Sequence, residues 1–112
     1  MAEIPRFRLG ETERMLLTLL ALRELGPCGN LQLIAFMAEA DLMNYFDLQS
    51  ALHDLLQRGQ VTLEPLPGDE RYTLTRRGQD VIALFEGRVG QSAREKIIAL
   101  SPGFQDRLRL AR

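Results

Sequence analysis

Ser50, His53 and Gln57 recur at intervals of three and four residues, with Gln49 beside Ser50 and four before His53, the spacing that gathers side chains on one face of a helix. A glutamine can pair with adenine through two hydrogen bonds, and serine and histidine donate or accept at base edges. Four arginines follow: Arg58, Arg71, Arg76 and Arg77. Guanidinium groups neutralise phosphates, and that neutralisation supplies most of a protein's sequence-independent affinity for a duplex. These eight are the residues of the chain best suited to hold double-stranded DNA, with Arg6, Arg8 and Arg14 as further phosphate candidates.

Catalytic chemistry has less to work with. The one histidine, His53, stands beside Asp54 on the outer face of a helical segment. No serine, cysteine or carboxylate pair has a spacing that suggests nucleophilic or acid–base work. Cys28 is the one cysteine, which excludes an internal disulfide and a cysteine-based zinc site. It reads as a small loop residue. His53 with Asp54 or Asp47 makes a weak metal set that needs a partner chain. Gly87, Gly90 and Gly103 are too dispersed for a phosphate-cradling loop and serve better as helix breaks. Neither an enzyme nor a cofactor is expected.

The elements that must position these residues are legible from periodicity. Glu11–Leu25 carries Met15, Leu16, Leu19, Leu20, Leu22 and Leu25, an apolar arc wide enough for a mostly buried helix, stopped by Gly26-Pro27. Asn30 reads as the N-cap of a second helix, with Leu33, Ile34, Phe36 and Met37 inward. Asn44 caps a third, with Asp47 as a capping-box acid and Tyr45, Leu48, Leu52, Leu55 and Leu56 inward. Gly59 ends it in the left-handed position glycine favours. Val61–Leu66 and a return strand around Tyr72–Leu74 alternate apolar with polar residues, joined by the turn at residues 67–70. Pro65 and Pro67 suit an edge and a hairpin tip. Thr75 caps a fourth helix held by Val81, Ile82 and Phe85. Ser92 to Glu95 reads as the capping box of a fifth, with a break at Pro102-Gly103 before a tail striped by Phe104, Leu108 and Leu110.

That order, with a reading helix followed by a two-stranded flap, is a mainly α, α+β architecture: a winged helix-turn-helix with additional C-terminal helices. Residues 1–10 read as an N-terminal arm, 11–86 as the winged-helix domain and 87–112 as a C-terminal helix and tail. At 112 residues, 46% hydrophobic and 26% charged, the chain is one globular domain. No apolar run approaches the ~20 residues of a membrane span, and Met1–Leu9 has no secretory core, so a cytoplasmic location is expected.

Leu42-Met-Asn-Tyr-Phe-x-Leu-Gln-x-x-Leu52, then Leu-Thr-x-x-Gly at Leu74–Gly78 and Phe85 beyond it, resembles a bacterial winged-helix family of unknown function, distantly similar to PadR-like and MarR-like regulators. The resemblance runs from about Thr12 to Leu100 and implies the fold and a role in transcription. It brings no catalytic residues and no ligand. The Arg-rich composition and the proline-flanked wing depart from the family pattern.

Charge opposes the DNA reading. Residues 41–71 hold Arg58 and Arg71 against six acidic side chains, a net of −4. Tight binders usually neutralise about six to ten phosphates. Two readings therefore stand: a homodimeric DNA-binding transcriptional regulator, paired through its first helix and C-terminal segment, or a winged-helix protein–protein interaction module without DNA affinity.

Overall fold

The computed structural model describes residues 10–65, 67–68 and 70–110. Most of the expected N-terminal arm, with Arg6 and Arg8, lies outside them, as do Leu66, Asp69 and Arg112. Five helices and one hairpin follow in order: α1 Glu11–Leu25, α2 Asn30–Glu39, α3 Tyr45–Gln57, β1 Val61–Glu64, β2 Arg71–Leu74, α4 Arg76–Phe85, a short 3-10 turn Glu86–Arg88, and α5 Gln91–Leu110.

α1 is the axis of the core. Every residue from Met15 to Leu22 is buried, because α3, α4 and α5 all pack on it. A helix apolar around most of its circumference has no other stable position in water. Each fully buried leucine contributes roughly 1.5–3 kcal/mol. Thr18, the buried polar exception on α1, donates its hydroxyl to the Arg14 carbonyl at 2.8 Å.

The hairpin is antiparallel, with Val61 opposite Leu74 and Glu64 opposite Arg71. A third chain segment joins it. Cys28 N–H donates to the Tyr72 carbonyl at 3.2 Å, and Tyr72 N–H donates to the Cys28 carbonyl at 2.8 Å. The α1–α2 loop is thus stitched to the flap, and the flap to the helical core. Cys28 is more than a loop residue: it is fully buried, and burial pushes its thiol up to about 12. The whole is a winged helix.

Several local expectations need correction. α2 is capped from Gly29, whose N–H donates to Gln32 Oε1 at 2.8 Å, and Asn30 is its first helical residue. α5 begins at Gln91, so Ser92 lies inside the helix rather than at a capping box. It then runs through Pro102 without the expected break. Tertiary packing holds it: Ile97, Ser101 and Phe104 are buried, the Phe104 ring meets Phe36 edge-on at 5.2 Å, and Arg107 grips both Glu39 oxygens at 2.9 and 3.0 Å. Tyr45, Leu56 and Phe85, expected inward, are exposed, as is Leu110 in the tail stripe.

The first helix, expected to share in a dimer interface, is largely enclosed within its own chain. Its apolar residues are covered by its own chain, and α5 supplies part of that cover.

Candidate nucleic-acid interface

α3 owes its position to two ends and one face. Asn44 Oδ1 accepts the Asp47 N–H at 2.8 Å and fixes the start. At the other end Gly59 takes φ 71°, its N–H donates to Leu56 O at 3.1 Å and Gln60 N–H to Leu55 O at 2.9 Å. That pair of bonds closes the helix and turns the chain into β1. Leu48, Ala51, Leu52 and Leu55 are buried, which leaves the opposite face outward.

On that face Ser50, His53 and Gln57 are exposed, as expected of readers. Gln49 is not free. It is half-buried, and its Nε2 donates to Asn30 Oδ1 at 2.7 Å, tying α3 to the start of α2. A base contact would have to break that bond. Gln49, Ser50, His53 and Asp54 line an open groove whose other wall is Glu11 and Arg14 of α1.

The arginines divide into two places. Arg58, Arg76 and Arg77 gather at the base of the hairpin, where Arg77 Nη1 donates to the Arg58 carbonyl at 3.3 Å and Thr75 N–H to the Gln60 carbonyl at 3.1 Å. Thr75 Oγ1 accepts the Gly78 N–H at 3.0 Å and starts α4 there. Arg71 is at the far end of the flap, opposite Glu64 and beside Glu70, about 10 Å of strand away. Arg76 is loosely paired with Asp80 at 3.8 Å, an exposed contact of small worth. The eight candidate residues therefore form a helix face with a basic cluster at its C-terminal end, and Arg71 stands apart.

Gly78 explains the Leu-Thr-x-x-Gly element. A Cβ there would overlap the Gln60 carbonyl oxygen. α4 can cross the start of β1 this closely only without a side chain at that position.

A family model now bears on the chain. The model for the domain of unknown function DUF4364 matches residues 15–109. The chain belongs to the DUF4364 family. That match covers α1 almost from its start through α3, the flap and nearly all of α5, so α5 is part of the DUF4364 unit. No match was found among curated proteins or among solved structures.

Sequence reasoning missed one prominent surface of this DUF4364 domain. Phe46 is 77% and Tyr45 51% exposed at the start of α3, their rings edge-to-face at 5.3 Å. The signal was present. Phe46 lies two positions before buried Leu48, which puts it about 200° around the helix, on the solvent side.

Proposed function

We propose that this chain is a DNA-binding transcriptional regulator of winged-helix type, distantly related to the PadR-like and MarR-like regulators. One observation carries the reading. α3 is capped at both ends, docked on α1 by a single apolar face, and followed by a paired flap, so Ser50, His53 and Gln57 meet solvent as a group. Arg58, Arg76 and Arg77 at the end of that face supply phosphate contacts, with Arg71 from the flap.

The magnitude is modest. Four arginines per protomer give a salt slope of about −4, against about −10 for a strong repressor. Asp54 on α3 and Glu64 and Glu70 on the flap oppose binding further. A homodimer, paired through the apolar residues that the C-terminal half leaves exposed (Leu84 and Ile98 among them), doubles the contacts and fits a two-fold operator.

The second reading, an interaction module without DNA affinity, is favoured by Tyr45 and Phe46. Two aromatic rings stand where a reader would carry polar groups, next to Asp47. Aromatic residues are enriched at protein interfaces.

Binding to random duplex DNA across a salt series separates the two, with Arg76→Ala/Arg77→Ala as control. A regulator binds weakly at low salt, loses affinity steeply as salt rises, and loses about two units of slope in the double variant. A flat response at low salt selects the interaction module.

A further inference from the structure

Between the first half of α1 and one face of α4 runs a groove of about 250 Å³. Its floor is Met15, Leu16, Leu19, Val81 and Phe85, and its rim carries Arg58 and Arg88. Met15, Leu16 and Leu19 are core residues, so the floor is fixed by the fold.

The two arginines differ from several others among the described residues. Arg23 and Arg94 pair with Glu86, Arg76 with Asp80, Arg107 with Glu39, and Arg109 with Asp106. Among the described residues no ion pair joins Arg58, Arg77 or Arg88 to a carboxylate, and of these three Arg58 and Arg88 line this groove. Arg88 instead lies over the Phe85 ring, 5.5 Å from its centre. That contact steadies the guanidinium at the groove wall and leaves its donors without an acid.

We infer that this groove binds a small monocarboxylate with an apolar tail. The tail covers Val81 and Phe85, the accessible part of the apolar lining, and leaves water, while the carboxylate accepts charge-assisted hydrogen bonds from Arg58 or Arg88. The space falls just below the usual range for ligand pockets, which limits the occupant to on the order of ten heavy atoms. A phosphate alone would leave the apolar floor wet. A neutral apolar molecule would leave both charges unanswered. Arg58 also stands in the basic cluster assigned to phosphate, so the groove is tested without DNA, where its outcome is independent of the regulator reading.

Octanoate is a direct probe, with octanol as the same tail lacking the charge. Thermal unfolding and amide chemical shifts of the full chain, without DNA, read the binding. Octanoate is expected to bind saturably with a Kd on the order of 1 mM or tighter, shifting amides of Leu16, Val81 and Arg88. Arg58→Gln/Arg88→Gln is expected to weaken it about tenfold or more, and Arg88→Lys to retain part of the affinity. Both arginines are exposed, so the variants should unfold at the wild-type midpoint in the absence of ligand. Equal affinity for octanol and octanoate overturns the inference, as does unchanged affinity in the double variant. So does the lack of any saturable shift, whether the groove is empty or already covered by a second copy or by residues 1–9 of the chain.

Discussion

Gly78 and Cys28 show how much a single position can decide. On helix propensity alone, alanine should improve α4 at Gly78 by about 1 kcal/mol. The close crossing reverses that sign, because an added methyl meets backbone that cannot yield. Gly78→Ala should destabilise by roughly 2–4 kcal/mol, measured by chemical unfolding, with β1 and α4 forced apart. Cys28 makes a different prediction. Its thiol is raised from 9.0 to about 12 because burial disfavours the thiolate, with Arg71 pulling weakly the other way. A raised acid is held neutral in the folded state. Its share of stability is therefore complete below pH 9 and is lost as pH climbs toward 12. Tyr72, also raised by burial, adds in the same direction. Unfolding midpoints should fall between pH 9 and 12, less so in Cys28→Ala. At pH 8 the native thiol should resist a disulfide reagent that reacts at once with the unfolded chain.

At the scale of elements, α5 carries the clearest conflict between local preference and packing. Proline inside a helix removes a hydrogen bond and costs about 3 kcal/mol. Pro102 is nonetheless helical, because Ile97, Ser101, Phe104 and Arg107 are anchored on both sides of it. Pro102→Ala should raise stability by about 1–3 kcal/mol, since an alanine N–H can donate to the Ile98 carbonyl. The start of α5 is held by another device. Arg23 of α1 reaches both Glu86 oxygens at 3.0 and 3.1 Å, and Arg94 approaches the same carboxylate at 3.5 Å. The Arg23 hydrogen bond, ahead of other causes, holds the Glu86 carboxyl below its usual 4.5. A lowered carboxyl stabilises above that value and stops doing so as pH falls through the depressed one. The groups are partly exposed, so Glu86→Gln should cost only about 0.5 kcal/mol at neutral pH and nothing once the carboxyl is protonated.

These elements also show what a sequence can reveal. α1, the two caps at Asn44 and Thr75, and the Gly59 turn were legible because each rests on local chemistry: apolar spacing, a side-chain acceptor, a positive φ. The course of α5 was not, since contacts distant in sequence override Pro102-Gly103. Nor was the tie from Gln49 to Asn30, which depends on how α2 meets α3. Of the candidate site, Ser50, His53 and Gln57 stand outward as their spacing implied, whereas Arg71 parted from the other arginines because the flap carries it away.

For the whole molecule, α1 makes the chain indivisible. Removing residues 91–112 would uncover part of α1's apolar surface, and such a truncation should aggregate or lose its cooperative transition. Dimerisation, if it follows the exposed apolar residues, should shift to monomer in light scattering when Leu84 or Ile98 is replaced by glutamate, with the fold intact. The proposal as a whole depends on the outward face of α3 meeting DNA. The most direct measurement is an amide chemical-shift titration of the full chain with a duplex at roughly 50 mM salt, where phosphate contacts are strongest. Shifts are expected at Ser50, His53, Gln57, Arg58, Arg76 and Arg77, fading as salt is added. A spectrum that does not move at low salt, or moves only at residues remote from α3, would contradict the proposal.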